Sequence, residues 1–229
     1  MNAIIFSKDR AMQLECLLRS IGDNCDHFAA INVLYREEHR MAYDILMGMY
    51  PDIHFHRERN FKEDFLYLLP EDERVALFCD DDIVFQEVPI LDLMDKLGAC
   101  DIVSLRLGNN IYTEKHFDVK QSIDGNIFRS ETLKMLSHRS FTNPNQLETQ
   151  LRQYTKSMSM GYFETSRLIG IPANRVSDTS HCEEMGIDTD GLNELFLTGY
   201  IIDYRSMNLK HNNVHLKIPY KFKSYADFL

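Results

Sequence analysis

The sequence predicts an α/β protein with a mostly parallel β-sheet flanked by helices. Over residues 1–85, apolar strand-like runs alternate with amphipathic helical segments, in four strands and three helices. The 229 residues are 44% hydrophobic, which is enough for one substantial core, and no linker or repeat interrupts them. We therefore expect a single domain over residues 1–229, with a first half of about 1–104 and a second half of about 105–229.

The first half supplies the repeating strand–helix units of that sheet. Strands are predicted over residues 3–7, 30–36 and 53–56, and each is followed by a helix. Apolar residues at helical spacing mark the faces that we expect to be buried: Leu14, Leu17, Leu18 and Ile21; Met41, Ile45 and Met49 within a helix over 37–49; and Ile90, Leu93, Met94 and Leu97.

Three consecutive carboxylates interrupt an apolar stretch in this half. Val75–Cys79 has the pattern of a buried strand, Asp80–Asp82 follow it, and Ile83–Phe85 return the chain to the interior. If the strand continues through the acids, Asp80 and Asp82 share one face and Asp81 points to the other. Adjacent anions need a compensating cation or hydrogen-bond donors. We expect Mg²⁺ or Mn²⁺, with Asp82 as the first ligand and Asp80 beside it; an ordinary solvated turn is the alternative.

The stretch LFCDDDIVF resembles the Asp-x-Asp motif of GT-A glycosyltransferases. The resemblance implies a Rossmann-like GT-A sheet, with residues 1–104 as the nucleotide-binding half and residues 105–229 as the half for the sugar and acceptor. It also implies a nucleotide-sugar donor, with UDP as the expected nucleotide, bound through Mn²⁺ or Mg²⁺ and by Asp80 and Asp81. Neither G-x-G-x-x-G nor G-x-x-x-x-G-K-[ST] is present, so dehydrogenase and P-loop functions lose their main support.

The loop Ser7–Arg10 lies between the first strand and the first helix. Backbone N–H groups and the helix dipole favour an anion at such a junction, so Ser7 and Arg10 are candidate donor-binding residues. The alternative is that Asp9 caps the helix while the cations are solvated. By resemblance to exostosin-like enzymes, Asn60 and Lys62 after the third strand would contact uracil and phosphates. A solvated helix start with Asn60 as its N-cap is equally consistent with the sequence.

The second half contains the candidates for contact with the sugar and the acceptor. By analogy with GT-A proteins, Asp124 and Asn126 beside Gly125 would bind sugar hydroxyls; a plain Asp-Gly turn is the alternative. Glu148, early in a predicted helix, is a candidate base for the acceptor hydroxyl, and Asp124 is a second candidate catalytic carboxylate. Glu148 also suits an ordinary helix start, where the dipole favours an acid.

The C-terminal segment contains the last candidate ligand. Many metal-dependent GT-A enzymes return a histidine to the ion, so the resemblance implies His215, or alternatively His211, as a metal ligand. Lys217, and Lys210 with it, would neutralise the diphosphate. Residues 177–190 are polar and acidic and are expected to order over the donor; their single histidine and cysteine (His181 and Cys182) fall short of a zinc site.

Composition excludes several classes of partner and location. Lys and Arg number 25 and Asp and Glu 35, a formal net charge of −10 that argues against nonspecific nucleic-acid binding. Five cysteines without a Cys-x-x-Cys pair, and no segment suited to span a bilayer, favour a cytoplasmic protein, free or at the inner face of a membrane. By the resemblance to GT-A glycosyltransferases, the expected acceptor is a glycan or glycolipid. A sugar-nucleotide nucleotidyltransferase and a non-catalytic nucleotide- or sugar-binding module are the alternatives.

Overall fold

A computed structural model describes residues 1–71, 73–111, 120–174 and 187–227. Its strands are β1 Asn2–Lys8, β2 Ala30–Arg36, β3 His54–Arg57, β4 Arg74–Cys79, β5 Asp82–Val84, β6 Ile102–Ser104, β7 Asn126–Arg129, β8 Met160–Tyr162, β9 Leu168–Gly170, β10 Tyr200–Ile202 and β11 Phe222–Ser224. Its α-helices are α1 Ala11–Asn24, α2 Arg40–Met49, α3 Phe61–Tyr67, α4 Ile90–Ala99, α5 Ser130–Lys134, α6 Pro144–Thr155 and α7 Thr189–Leu197.

Seven strands form one mostly parallel sheet in the order β3-β2-β1-β4-β7-β6-β8. Strands β1 to β4 are mutually parallel, β8 is parallel to β6, and β7 runs antiparallel to both of its neighbours, β4 and β6. Strand β5 pairs with β9, and β10 with β11, in two small antiparallel sheets. The predicted α/β class with a mostly parallel sheet is therefore confirmed.

The central strands divide their side chains between two cores, one on each face of the sheet. Ile5 and Phe78 contribute to a core shared with α1, α2, α4 and α7, whereas Ile4 and Leu77 contribute to a core shared with α3, α5 and α6. This alternation follows from the two-residue period of a strand. Because both faces are covered, β1 and β4 read as continuous apolar runs, and their carboxyl ends open at one edge.

The predicted buried faces of two helices were partly wrong. In α2 the buried residues are Ala42, Tyr43 and Leu46, while Met41 is 69% and Ile45 is 42% exposed. The predicted and the observed buried faces of α2 are offset by one residue, or about 100° of helix, and the spacing of apolar residues alone cannot choose between them. In α4 the expected Leu93 and Leu97 are buried, but Ile90 is 43% and Met94 is 58% exposed.

The three acids follow the central strand, but the strand does not continue through them in the extended conformation that a shared face for Asp80 and Asp82 requires. Strand β4 ends at Cys79, the chain turns at Asp80–Asp81, and β5 begins at Asp82. The amide of Asp80 still donates to Phe6 O at 3.1 Å, so the turn begins against β1. Asp80 and Asp82 therefore do not alternate along one strand.

One further expectation falls mostly on residues that the structure does not describe. Residues 177–190 are expected to order over the donor, and residues 177–186 of that stretch lie outside the described ranges. In the ranges that the structure describes, none of the helices combines the length and apolar character needed to cross a bilayer.

Candidate functional site

A buried arginine meets two acids where β1 and β4 end. Nη1 of Arg10 lies 3.1 Å from Oδ1 of Asp80 and 3.3 Å from Oδ2 of Asp81, and Arg10 is only 3% exposed. Its Nη2 donates to the carbonyl oxygen of Asn174. The β4–β5 turn thus offers two carboxylates to one guanidinium from the first loop, as expected where neighbouring parallel strands end at one edge.

Further hydrogen bonds fix Asp80 from the β1 side. Oδ2 of Asp80 accepts from the Ser7 hydroxyl and from the Lys8 amide, each at 3.0 Å. The Ser7 hydroxyl is also 2.7 Å from the hydroxyl of Tyr43 on α2. Asp9 adopts a positive φ of 56°, a conformation that Asp tolerates better than most residues, and this turn directs the chain into α1 at Arg10. The site therefore holds Asp80 with charge-assisted bonds.

A second buried arginine, which the sequence analysis missed, organises the other side of the site. Arg106 follows β6 and is 4% exposed. Its Nε donates to Val214 O at 3.0 Å, and its Nη1 donates to Ser122 Oγ at 3.1 Å and forms an ion pair with Asp124. Among the described residues, Nη2 of Arg106 has no hydrogen-bond partner. The same pattern as at Arg10, a cation just after a buried apolar strand, was the signal available in the sequence.

Glu148 lies close to this second arginine. Oε1 of Glu148 accepts from the backbone amide of Ile123 at 3.0 Å, so α6 is joined to the 122–124 turn. Burial and the charge of Asp124 together raise the pKa of Glu148 to about 7, against the opposing effects of the Ile123 amide and Arg106. A carboxyl group with a pKa near 7 can hold or release a proton at physiological pH, as a general base must.

Asp82, His215 and Arg106 surround the backbone of Gly170. A methyl group built on Gly170 would lie 3.1 Å from Cδ2 of His215 and 3.5 Å from both Oδ1 of Asp82 and Nη2 of Arg106. The β5–β9 pairing places Asp82 opposite Gly170, and the Leu216 amide donates to Gly170 O at 2.9 Å. Two strands and the C-terminal segment thus converge on one point.

Acids outnumber arginines in the site. Five carboxylates belong to it: Asp80, Asp81, Asp82, Asp124 and Glu148. Burial, reinforced by Asp81, raises the pKa of Asp80 to about 6 against the opposing charge of Arg10. Burial also raises the pKa of Asp81, and it raises that of Asp82 well above its ordinary range with help from Asp124. The site therefore carries more buried negative charge than Arg10 and Arg106 neutralise.

Asp124 differs from the other four carboxylates. Burial alone would raise its pKa, but Arg106, the Cys79 thiol, His215 and Ser122 outweigh burial and lower the pKa. Asp124 is thus held as a carboxylate next to a Glu148 that retains its proton more readily. Two carboxyl groups with pKa values displaced in opposite directions can take different chemical roles.

Solved structures resemble this chain, whereas no known family model and no curated protein sequence matches it. S. aureus TarS aligns with a TM-score of 0.54 and 11% identity over 73% of this chain and 36% of that chain. Its fragment 1–349 gives a TM-score of 0.53 and 11% identity over 75% of this chain and 61% of that chain. The galactosyltransferase LgtC, solved with donor and acceptor sugar analogs, gives a TM-score of 0.43 and 13% identity over 79% of this chain and 80% of that chain.

The chain has a GT-A-like fold. The expected fold is therefore confirmed. At 11% identity the likeness shows the fold alone, and the chain spans only 36% of TarS and 61% of its fragment.

The chemistry of the donor set suits a divalent cation at the edge of this GT-A-like sheet. Oxygen ligands and a surplus of buried negative charge are what Mg²⁺ or Mn²⁺ requires. Within the described residues, no group of three or more His, Cys, Asp or Glu side chains is arranged around one point. An ion that bridges substrate phosphates takes only one or two carboxylates from the protein, so Asp82, with His215 nearby, fits such an ion.

The remaining candidates lie in different surroundings. Asn126 begins β7 and is fully buried, and Lys217 is exposed on the C-terminal segment. The side chain of Asn60 accepts from the Glu63 amide as the N-cap of α3. Lys62 Nζ lies 6.0 Å from the Phe141 ring centroid.

His211, the alternative to His215, sits apart from the convergence at Gly170. Its Nε2 is 3.3 Å from the Ser166 hydroxyl, and its ring packs 5.2 Å from that of Phe85. The structure therefore favours His215 over His211 as the residue near Asp82.

Proposed function

We propose that this chain is a glycosyltransferase that moves a sugar from a nucleoside diphosphate, with UDP as the nucleotide, to a hydroxyl of a glycan or glycolipid. The observation that carries the proposal is the convergence on one sheet edge of five carboxylates, two buried arginines and His215. Open α/β sheets bind ligands at this edge. The GT-A-like fold supports the proposal as well.

The donor diphosphate would lie over the first loop and the β4–β5 turn. Ser7 lies near the end of β1 and Arg10 is the N-cap of α1, where backbone amides and the helix dipole favour phosphate oxygens. Asp80 and Asp81 orient Arg10 through their shared contact. In this proposal Asn60 and Lys62 contact the base and phosphates, Asn126 contacts the sugar, and Lys217 adds positive charge.

Mn²⁺ or Mg²⁺ would be held by Asp82 with His215, and by Asp80 from the adjacent turn. When bound, such an ion supplies positive charge that balances the departing diphosphate. Asp80 already accepts three hydrogen bonds, from Ser7, Lys8 and Arg10, so Asp82 is the better first ligand.

Glu148 is the proposed base. As the acceptor hydroxyl oxygen bonds to the anomeric carbon, Glu148 takes its proton, and the bond between the sugar and the diphosphate breaks. The amide of Ile123 orients the Glu148 carboxylate. Asp124 is kept ionised beside Arg106. In this proposal it accepts hydrogen bonds from hydroxyls of the donor sugar.

The decisive experiment measures which product leaves when the chain is given donors and acceptors. Incubation with UDP-sugars, Mn²⁺ and glycans should release UDP, and Asp82→Asn should lower that rate about 100-fold or more. Asp95→Asn, an exposed acid on α4, is the matched control and should keep the wild-type rate.

The two alternative functions predict different outcomes. A nucleotidyltransferase would need a nucleoside triphosphate and a sugar phosphate as substrates, would join them and would release pyrophosphate from the triphosphate. A binding module would be stabilised by UDP and would form no product. Full UDP release by Asp82→Asn would contradict the role given to Asp82.

A further inference from the structure

The geometry points to Arg106 as the residue that binds an oxygen of the donor's diphosphate, through Nη2, in the space beside Gly170. This inference rests on the proposed function and names a contact that the sequence analysis did not contain. Arg106 belongs to neither the first loop nor the acid triplet, so its contact would be additional to that of Arg10.

The Arg106 side chain is buried and, among the described residues, only partly satisfied. It is 4% exposed, its Nε donates to Val214 O, and its Nη1 donates to Ser122 Oγ and pairs with Asp124. Within the described ranges, Nη2 is buried without an acceptor. A buried donor on a charged group costs free energy when it is unsatisfied, and such exceptions in folded proteins call for a reason.

Nη2 of Arg106 lies next to Gly170. It is 3.5 Å from the position that a methyl group on Gly170 would occupy, as is Oδ1 of Asp82. Glycine at position 170 leaves these groups uncovered, whereas an alanine methyl group would crowd the ring of His215 at 3.1 Å. An N–H donor, a carboxylate and an imidazole ring thus face the same side of Gly170.

An anionic oxygen is the partner that suits Nη2 of Arg106, because this unsatisfied group is an N–H donor that carries positive charge. Guanidinium groups match phosphate geometry better than ammonium groups do. Carboxylates surround the rest of the site, and an anion entering it is attracted only where an arginine faces it. A phosphate oxygen at Nη2 would also lie next to Asp82, the proposed metal ligand.

Calorimetric titration with uridine, UDP and pyrophosphate in Mg²⁺ buffer tests the inference. Arg106→Lys should lower the affinity for UDP and for pyrophosphate about tenfold or more and change the affinity for uridine by less than about twofold. Arg74→Lys is the matched control, because Arg74 holds the carbonyl oxygens of Leu97, Cys100 and Asp101 at the opposite end of β4. It should leave all three affinities unchanged.

Gly170→Ala provides an independent variant that leaves the arginine in place. Its methyl group should lower the affinity for UDP and pyrophosphate but not the affinity for uridine. This variant decides the role of Arg106 if Arg106→Lys does not fold. Equal losses for uridine and UDP, or no loss for UDP in either variant, would overturn the inference.

The same titrations separate this inference from the proposed function. If the wild-type chain binds pyrophosphate but neither uridine nor UDP, the proposed function fails and the pyrophosphate affinities alone decide the role of Arg106. A wild-type chain that binds none of the three probes overturns both.

Discussion

The two arginine clusters of the site are built in different ways. Arg10 meets Asp80 and Asp81, which are adjacent in sequence and lie in one turn between two strands. Arg106 meets groups from separate segments, namely Ser122 and Asp124 before β7 and the carbonyl of Val214 near the C-terminus. The first cluster is therefore assembled by strand topology, and the second by side-chain bonds between irregular segments.

The two clusters are therefore vulnerable in different ways. Strands β1 and β4 stay paired through their backbones, so the ends that carry Arg10 and Asp80 cannot drift apart easily. Among the described residues, the segment that carries His215 makes an isolated bridge to Gly170 instead of a ladder, and separate hydrogen bonds join it to Arg106, Asn110 and Ser166. Loss of Arg10 should thus act on overall stability, and loss of bonds at Arg106 on local order.

The largest expected effect comes from removing Arg10. Arg10→Met leaves the buried Asp80 and the partly buried Asp81 without their shared cation, and breaking a buried pair costs about 3–5 kcal/mol of unfolding free energy. Urea denaturation measures this loss. Arg40→Met, which removes an 81% exposed partner of Asp44, should cost less than about 1 kcal/mol. If Arg10→Met unfolded at the wild-type urea concentration, the acids would not depend on Arg10 for their charge balance.

The two clusters also differed in how far the sequence could predict them. The alternation of strands and helices was enough to place Ser7, Arg10 and the acid triplet at one edge, because parallel strands carry their carboxyl ends together. It was not enough to find the turn at Asp80–Asp81, since a buried apolar run on both sides of the acids has the pattern of one long strand.

The second cluster was predicted only through resemblance, and incompletely. Asp124, Glu148 and His215 were named individually, but Arg106, which lies among them, was not. Its partners are up to 108 residues away in the chain, and no local periodicity records such contacts. The exposed Met41 on α2 shows the same limit, because the face that a helix buries is set by the surface on which it packs.

A smaller effect should appear in the pH dependence of the Arg106 side. The pKa of Glu148 is about 7 in the folded chain against an ordinary value near 4.5, so the folded state binds this proton more tightly than the unfolded state. The contribution of Glu148 to the unfolding free energy is therefore present at low pH and lost as pH rises from about 4.5 to about 7.

Glu148→Gln should remove that dependence. Relative to wild type, the variant should gain unfolding free energy as pH rises through this interval, measured by urea denaturation at several pH values. Glu194→Gln, an exposed acid on α7, is the control and should follow wild type. A constant difference between Glu148→Gln and wild type from pH 4 to pH 8 would show that Glu148 titrates normally.

The smallest effects distinguish the clusters most directly, through one serine in each. Ser7 bonds to Tyr43 and Asp80, and Ser122 bonds to Arg106 and Asp124; both serines are less than 9% exposed. Ser7→Ala and Ser122→Ala should each cost about 1 kcal/mol of unfolding free energy, the usual net value of a buried hydrogen bond. In overall stability the two variants should therefore look alike.

Hydrogen exchange at the Leu216 amide, which donates to Gly170 O, should separate them. Ser122→Ala loosens Arg106, and Arg106 holds Val214, two residues before Leu216, so this amide should exchange faster. Ser7→Ala leaves that path intact because, in the described part of the chain, the Ser7 hydroxyl bonds to Tyr43 on α2 and to Asp80 in the β4–β5 turn. Exchange at Leu216 should therefore stay close to wild type. Faster exchange in Ser7→Ala than in Ser122→Ala would mean that the C-terminal segment is held by the strand ends rather than by Arg106.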